Sequence, residues 1–259
     1  MNAELAFALE LADLADSISL PKFRATDLQV ETKPDLTPVT EADRAVEEAL
    51  RKRIAQDRSG DSVLGEEFGA GSSVSAPNAR WIIDPIDGTK NYVRGIPVWA
   101  TLIAFERDAE IVAGVVSAPA LGRRRWWAAA GEGVFADGRP IGVSKVATIE
   151  DAQACYGGLG AWRRAGMLGG LLELIRRSWR SRGFGDFWMH MLVAEGAADV
   201  ATELEVSVWD VAAVKIVVEE AGGRMTDLSG RVTASGGSAL STNGLLHEEA
   251  LAILTGQPA

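Results

Sequence analysis

The chain has 259 residues, a formal net charge of -10, one cysteine, two histidines and 47% hydrophobic residues. This composition indicates a globular protein with a sizeable core, built as one large unit or two closely packed ones. It excludes a general nucleic-acid-binding surface, which needs excess positive charge, and also a disulfide framework and a histidine-built metal site.

Two helices and a series of short strands are predicted in the N-terminal half. Residues 4–20 carry apolar residues at helical spacing, and Pro21 is expected to end that helix. Thr40 and Asp43 fit a capping box at the start of a second helix. A Gly/Ser/Pro-rich surface loop is predicted from Gly69 to Asn78. Alternating patterns then predict an antiparallel sheet with strands over 81–84, 98–105, 111–118, 125–129 and 133–136.

The pattern changes near residue 145, where short strands begin to alternate with helices. Strands are predicted over 153–158 and 198–203, with helices over 166–178, 186–196, 208–221 and 246–254. Gly222-Gly223 is expected to cap the third of these helices. The sequence therefore predicts an α/β fold with two halves, residues 1–145 with an antiparallel sheet and residues 146–259 with a mixed sheet.

The N-terminus lacks a basic region followed by an apolar core, so no signal peptide is predicted. No apolar run approaches the roughly 20 residues that cross a membrane. We therefore expect a cytoplasmic protein.

Six residues, Asp84-Pro85-Ile86-Asp87-Gly88-Thr89, form the most informative segment. They follow an apolar run that predicts a buried strand, so Asp84 is expected at the end of that strand. Pro85 favours an extended conformation there, and Gly88 lets the backbone approach a ligand closely. Two carboxylates this close repel each other unless a cation lies between them. The same residues also suit an ordinary Asp-Pro and Asp-Gly turn, so other acidic groups must decide between the two interpretations.

Three further acidic residues bear on this choice, and each has a structural interpretation as well. Glu66 follows a short apolar pair and suits an exposed surface carboxylate; Asp210 suits the first turn of an apolar helix, where it would stabilise the helix dipole. Asp43 suits its capping box. Taken together, an oxygen-rich set of ligands with few histidines favours a hard cation, for which Mg²⁺ is the cellular default. Two such ions assist in-line displacement at phosphorus.

Three segments carry a resemblance to the inositol monophosphatase family: Gly65–Glu67, Trp81–Asn91, and Trp209-Asp210 together with Glu220–Gly223. They occur in the family's order and span nearly the whole chain. Within that family the chain is most similar to the actinobacterial-type histidinol-phosphate phosphatases, through residues 35–40, 93–100, 117–120 and 206–210. The resemblance implies a layered αβαβα fold and a homodimer. The apolar strand 98–105 is a candidate for the neighbourhood of the dimer interface.

The resemblance implies a metal site in the cleft between the halves, with two or three Mg²⁺ ions per active site. The implied ligands are the Ile86 carbonyl and the carboxylates of Glu66, Asp84, Asp87 and Asp210. Glu67 is ranked second, because alternation along a strand end points it elsewhere.

The resemblance also implies roles in catalysis. Asp43 and Thr89 would orient and deprotonate a metal-activated water that attacks phosphorus directly, and Glu66 belongs to the same catalytic set. The backbone N–H groups of Gly88 and Thr89 would bind the phosphate.

The implied substrate contacts come from the C-terminal half: Arg182, Asp186 and Glu203. Two carboxylates favour a cationic leaving group over a neutral polyol, and histidinol carries an amine and an imidazole. Four aromatic residues suit either a wall of that site or core packing: Tyr92, Trp162, Phe187 and Trp188.

The implied activity is hydrolysis of L-histidinol phosphate to L-histidinol and phosphate, a step of histidine biosynthesis. One alternative keeps the chemistry and changes the substrate to inositol-1-phosphate or another small sugar phosphate. A remote alternative is a non-catalytic binding protein of the same fold.

Overall fold

A computed structural model of the chain describes residues 2–34, 36–70 and 78–256. Within these ranges the helices are α1 (Ala3–Lys22), α2 (Glu41–Asp57), α3 (Thr89–Val93), α4 (Leu159–Arg164), α5 (Leu168–Arg177), α6 (Asp186–Ala194), α7 (Val208–Glu220) and α8 (His247–Thr255). The first ten strands are β1 (Val30–Thr32), β2 (Pro38–Thr40), β3 (Ser62–Gly65), β4 (Gly69–Ala70), β5 (Ala79–Asp87), β6 (Ala100–Arg107), β7 (Glu110–Ala118), β8 (Arg124–Ala129), β9 (Gly133–Ala136) and β10 (Arg139–Pro140). The other strands are β11 (Gln153–Tyr156), β12 (Arg180–Arg182), β13 (Val200–Leu204), β14 (Arg224–Thr226) and β15 (Ser238–Thr242). Most of the predicted 69–78 loop, and Asp35, lie outside the described residues.

An eight-stranded sheet in the order β10-β9-β8-β7-β6-β5-β3-β4 fills the N-terminal half. The strands from β5 to β9 are antiparallel to their neighbours, which confirms the predicted antiparallel sheet, and β3, which was not among the predicted strands, runs parallel to β5. Helices α1 and α2 pack on one face through a core that includes Leu11, Leu50, Trp81 and Phe105.

The second sheet has the order β12-β11-β13-β15-β14. Strand β11 pairs parallel with β12 and β13, and the remaining pairs are antiparallel, which confirms the predicted mixed sheet. Helices α4, α5 and α8 cover its outer face through a core that includes Trp162, Leu171, Leu240 and Leu254.

Helices α6 and α7 form the layer between the two sheets, which completes the predicted αβαβα order. Val214 and Val217 of α7 pack with Leu102 and Trp126 of the first sheet. Met189 and Val193 of α6 pack with Cys155 and Ala201 of the second sheet. Phe187 and Met191 of the same helix pack in the core that contains Leu102 and Trp126 of the first sheet. The predicted division at residue 145 falls between the sheets and remains a prediction, since this middle layer serves both.

The structure corrects one expectation about an individual element and locates another. Pro21 does not end α1, because the helix continues to Lys22 and the Phe23 N–H closes its end on Ser19 O at 3.1 Å. The strand predicted over 98–105 corresponds to β6, which lies inside the sheet between β5 and β7 with six of its eight residues buried. The dimer, and an interface near this strand, remain predictions. No helix in the described ranges is long and apolar enough to cross a membrane.

Candidate active site

A bulge at the end of β5 places two aspartates on the same side of the sheet. Asp84 pairs with Leu102 and Asp87 with Ala100, so β5 carries one extra residue between them. Residues three apart in a regular strand face opposite sides, and the extra residue reverses that relation. The strand runs through Pro85 to Asp87, so the expectation that it ends at Asp84 is wrong. Proline is tolerated at a bulge because the ladder is already interrupted there.

The chain turns from β5 into α3 at Gly88. This residue has φ of 84° and ψ of 36°, a left-handed conformation that favours glycine. A Cβ at this position would lie 3.1 Å from the Val98 carbonyl oxygen and 3.5 Å from Asp186 Oδ2. Glycine therefore lets the Val98 carbonyl oxygen lie close to the turn, and the predicted close approach of the backbone to a ligand stays a prediction.

Helix α2 brings Asp43 to this turn through its capping box. Asp43 Oδ2 accepts from the Thr40 N–H at 2.8 Å and from the Thr40 hydroxyl at 2.5 Å. The other oxygen, Oδ1, lies 3.2 Å from the Thr89 hydroxyl, which is also 3.0 Å from Ile86 O. The capping interpretation and the Asp43–Thr89 pair are thus satisfied together, because each uses a different carboxylate oxygen.

The first turn of α7 supplies the third carboxylate. Asp210 Oδ2 accepts from the Ser207 N–H at 2.7 Å, which fixes the side chain at the helix start. Carboxylate oxygens of Asp84, Asp87 and Asp210 all lie within 4.8 Å of one another. Together with Glu66, they line a cavity of about 210 Å³, the first cavity, whose other lining residues are Thr37, Pro38, Ile86, Gly88, Thr89, Lys90 and Asp186.

Burial and mutual repulsion govern the electrostatics of this cluster. Burial raises the pKa of Asp84 well above its ordinary value, and the charges of Glu66 and the other two aspartates raise it further. The pKa of Asp87 is raised in the same way by burial and then by Asp186 and Asp210. Burial also raises the pKa of Asp210 to about 6. These carboxylates disfavour full ionisation side by side, and a cation between them would remove the conflict.

Glu66 lies at the wall of the first cavity and contacts a lysine. Lys33, in the connection between β1 and β2, places Nζ 2.8 Å from Glu66 Oε1 and 2.7 Å from Glu67 Oε1. Burial and the charge of Glu66 raise the pKa of Glu67 to about 7. The two glutamates therefore share one ammonium group, although only Glu66 lines the cavity.

The turn that carries Glu66 rests on a fully buried carboxylate of α2. Glu47 Oε2 accepts from the Glu67 N–H at 2.7 Å, and Oε1 accepts from the Phe68 N–H at 3.2 Å and from Arg51 Nε at 2.8 Å. A Cβ at Gly65 would lie 2.1 Å from Glu47 Oε1, so any other residue would displace this carboxylate. The sequence analysis missed this support. Its signal is the spacing of Asp43 and Glu47, which places both on one face of α2.

A second cavity of about 200 Å³ adjoins the first and shares Asp87, Lys90, Asp186 and Asp210 with it. The second cavity also contains Glu203, Glu205, Phe187, His190, Val206 and Val211. Burial, followed by the charges of Asp186 and Asp210, raises the pKa of Glu203 to about 8. The structure thus brings Asp186 and Glu203 together beside the carboxylate cluster.

Arg182 is not brought to either cavity. It lies exposed at the end of β12, and its guanidinium donates to Ser181 O at 2.7 Å. Among the four aromatic candidates, Phe187 lines the second cavity, whereas Tyr92 and Trp162 are fully buried core residues. Trp188 packs on Phe184 with ring centroids 4.7 Å apart.

Asn91 is a contact residue that the sequence analysis quoted only as part of a motif. Its Nδ2 donates to Asp186 Oδ2 at 2.9 Å and to Val98 O at 2.8 Å. Because these partners are 95 and 7 residues away, no local pattern predicts the first of them.

Comparisons with known proteins agree with this arrangement. The sequence model of the inositol monophosphatase family matches residues 1–258. A histidinol-phosphatase of Mycobacterium tuberculosis is 54% identical over 253 residues, covering 96% of each chain. A histidinol-phosphatase of Streptomyces coelicolor is 50% identical over 260 residues, covering 97% of this chain and 96% of the relative. The solved structure of a Thermotoga maritima IMPase superposes with a TM-score of 0.87 at 29% identity, covering 98% of each chain.

Proposed function

The chain belongs to the inositol monophosphatase family, and on that premise we propose that it hydrolyses L-histidinol phosphate to L-histidinol and phosphate. The observation that carries the proposal is the pair Asp186 and Glu203, which forms an acidic cavity directly beside the three-aspartate cluster. Names of the two actinobacterial relatives support the same substrate. As a phosphatase, the chain is not a purely binding member of the fold.

The family is metal-dependent, and the residues present fit a hard cation. Three carboxylates within 4.8 Å, two of them buried and the third half-buried, offer only oxygen atoms, which suits Mg²⁺. Burial, and then repulsion that a cation relieves, raises the pKa values of Asp84 and Asp87. We assign the metal to Glu66, Asp84, Asp87, Asp210 and the Ile86 carbonyl, and two or three ions per site remain a prediction. When bound, Mg²⁺ neutralises phosphate charge and lowers the pKa of water.

We assign the handling of the attacking water to the Asp43–Thr89 pair. The Thr89 hydroxyl lies 3.2 Å from Asp43 Oδ1, so it can donate to the carboxylate while its lone pairs accept from a water in the first cavity. The water proton is then transferred along these hydrogen bonds, through the Thr89 hydroxyl, toward Asp43. Burial raises the pKa of Asp43, which makes its carboxylate a better proton acceptor. The attack is direct, with no covalent enzyme intermediate.

The phosphate is assigned to the start of α3. Gly88 and Thr89 line the first cavity, and N–H groups at a helix start have no acceptor within the helix. Lys90 also lines both cavities and supplies a positive charge between them.

The leaving group is assigned to the second cavity. Asp186 and Glu203 present two half-buried carboxylates. Burial raises the pKa of both, and the charge of Asp186 raises that of Glu203 further, so a cationic ligand there would relieve the repulsion. The amine and imidazole of histidinol meet this requirement, whereas inositol offers only neutral hydroxyl groups. Arg182 remains a predicted substrate contact without support from the geometry of this chain.

Phosphate release with Mg²⁺ from histidinol phosphate and from inositol-1-phosphate tests the substrate. We expect kcat/KM to be at least about tenfold higher for histidinol phosphate, since one charge-assisted contact is worth that much. Asp186→Asn is expected to reduce this preference, and Glu205→Gln serves as its control. Glu205 lines the same cavity, but its carboxylate is already paired with Arg164. A tenfold preference for inositol-1-phosphate would overturn the substrate assignment.

A further inference from the structure

We propose that Asn91 is a specificity-positioning residue, which holds the Asp186 carboxylate in the orientation that selects a cationic leaving group. The inference rests on the proposed function, because Asp186 is taken as a substrate contact. Asn91 belongs to α3 and Asp186 to the start of α6, so the contact joins the metal-binding turn to the substrate-selecting segment.

The Asn91 side chain is fixed by two hydrogen bonds. Its Nδ2 group has two protons, and they go to Val98 O at 2.8 Å and Asp186 Oδ2 at 2.9 Å. Val98 precedes the buried strand β6, which anchors the amide to the first sheet. Because both protons have acceptors, the amide cannot rotate without losing one of them. Asp186 Oδ2 is thereby held at a defined place beside Gly88.

The backbone at Asp186 needs such a restraint. Gly185 has φ of 67° and Asp186 has φ of 50°, and a positive φ at a residue with a side chain costs about 1 kcal/mol or more. Gly185 provides no side-chain cap for α6. Strain of this kind persists where surrounding contacts determine the conformation.

Two contacts from the metal-binding turn hold this strained segment in place. One is the Asn91–Asp186 hydrogen bond, and the other joins the Phe187 N–H to Asp87 Oδ2 at 2.7 Å. Asp87 Oδ2 fixes only the backbone, which leaves the direction of the Asp186 side chain to Asn91. Without Asn91, the carboxylate is free to leave the position in which it faces both cavities.

Two residues of α3 thus have different proposed roles. Thr89, its first residue, contacts Asp43 beside the attacking water, and Asn91, two residues later, orients Asp186, which is proposed to bind the leaving group. Asn91 itself does not line either cavity. It therefore acts through Asp186 and not by touching the substrate.

A double-mutant cycle with Asn91→Ala and Asp186→Asn tests this role. Asparagine at position 186 removes the charge and still tolerates a positive φ. The readout is the ratio of kcat/KM for histidinol phosphate to that for inositol-1-phosphate, with kcat and KM measured separately. We expect Asn91→Ala to lower the ratio about tenfold, mainly through KM for histidinol phosphate. In the Asp186→Asn background we expect less than about twofold further loss, because coupled residues are not additive.

Asn243→Ala is the matched control. The Asn243 amide makes an equivalent pair of hydrogen bonds, to Ser144 Oγ at 3.0 Å and Val146 O at 2.8 Å, away from both cavities. It should lower stability without changing the substrate ratio. If Asn91→Ala does not fold, Asn91→Ser serves in its place, because its polar side chain is one bond too short to reach Asp186 in the same way and the same loss is expected.

Three outcomes would overturn the positioning role: an unchanged ratio, equal losses for both substrates, or a full additional loss in the Asp186→Asn background. A wild-type preference for inositol-1-phosphate would instead overturn the proposed function. The cycle separates these cases, because coupling between positions 91 and 186 is measured on whichever substrate is turned over.

Discussion

Asp84 is the residue in which structural and chemical demands are most clearly opposed. It is almost fully buried, and its Oδ1 accepts from the Ile86 N–H at 3.0 Å, which stabilises the bulge of β5. Its charge, in contrast, is repelled by Glu66, Asp87 and Asp210. The carboxylate oxygen stabilises the turn through its hydrogen bond, whereas the negative charge destabilises the site unless a cation binds.

Asp84→Asn separates the two demands. The amide oxygen can still accept from the Ile86 N–H, so we expect the protein without metal to be as stable as the wild type or more stable. We expect kcat/KM to fall at least about a hundredfold, because a ligand charge is lost where charge must be stabilised. Phosphate release and urea denaturation in the presence of a chelator measure the two effects.

Asp227→Asn is the control for this substitution. Asp227 is equally buried, but it accepts from Ser229 and Arg231 in a turn outside both cavities. We expect it to lose about 1–2 kcal/mol of stability and to keep its activity. Near-full activity of Asp84→Asn would show that the metal assignment is wrong.

Helix α2 is the element that organises the N-terminal side of the site. Asp43, in its first turn, contacts Thr89, and Glu47, one turn later, supports the backbone that carries Glu66. One helix thus sets the distance between the proposed proton acceptor and a proposed metal ligand.

Glu47→Gln tests this support. A glutamine retains one acceptor oxygen for the two N–H groups of the turn and places an amide against Arg51, so the turn should loosen. We expect the Mg²⁺ concentration for half-maximal activity to rise about tenfold and the stability without metal to fall by about 2 kcal/mol. The thermal unfolding temperature, measured as a function of Mg²⁺ concentration, provides a readout that does not depend on turnover.

Glu106→Gln is the matched control, because Glu106 also pairs with an arginine, Arg80, at 2.7 Å but lies away from the cavities. It should leave the Mg²⁺ requirement unchanged. An unchanged requirement in Glu47→Gln as well would remove the positioning role of α2.

Helix α8 is tied to the second sheet by a buried histidine. His247 Nε2 lies 2.9 Å from the Thr226 hydroxyl and Nδ1 lies 3.0 Å from the Thr242 hydroxyl. Burial, and then the charge of Arg224, lower the pKa of His247 to about 4. A histidine whose pKa is lowered in the folded state contributes its full stabilisation of the folded protein at pH values above its unfolded-state pKa, near 6.5. This contribution is lost as the pH falls toward 4.

We therefore expect His247→Gln to be less sensitive to acid than the wild type. Between pH 7 and pH 4 the wild type should lose about 2–3 kcal/mol more stability than the variant. The comparison is a difference between two proteins, so it cancels the contributions of His190 and of the active-site carboxylates. Urea denaturation at several pH values measures it, and parallel pH profiles would contradict the assignment.

At the scale of the whole molecule, the two sheets share the middle layer of α6 and α7. Val214 and Val217 pack with the first sheet, while Met189 packs with the second. Residues of both halves also line both cavities. The proposed active site is therefore complete only when the two halves are packed together.

We expect one cooperative unfolding transition, because neither half can expose its face of the shared core at low cost. Calorimetry in the presence of a chelator should give equal calorimetric and van't Hoff enthalpies. Fluorescence of the buried tryptophans should change together with far-UV circular dichroism; these are Trp81, Trp99 and Trp126 in the first half and Trp162 in the second. Two separated transitions would instead support the predicted domains 1–145 and 146–259 as independent units.

The sequence by itself determined the family and the layered fold, and it supplied the candidate residues of the proposed metal-binding turn. The fold follows from local patterns such as the capping box at Thr40 and the alternation of the strands, and the family from the segments Gly65–Glu67, Trp81–Asn91 and Trp209-Asp210. Local conformational preferences depend on residues that are neighbours in the sequence, so one sequence is enough to recognise them.

Only the tertiary structure decided how these segments face one another. The bulge that brings Asp84 and Asp87 to one side depends on the register with β6, and the contact of Asn91 with Asp186 spans 95 residues. The same holds for Glu47 beneath the Glu66 turn and for the shared layer of α6 and α7. Such contacts are fixed by the packing of distant elements, which no local pattern records. For this reason the candidate carboxylates of the site can be identified from the sequence, whereas their distances and orientations depend on the fold.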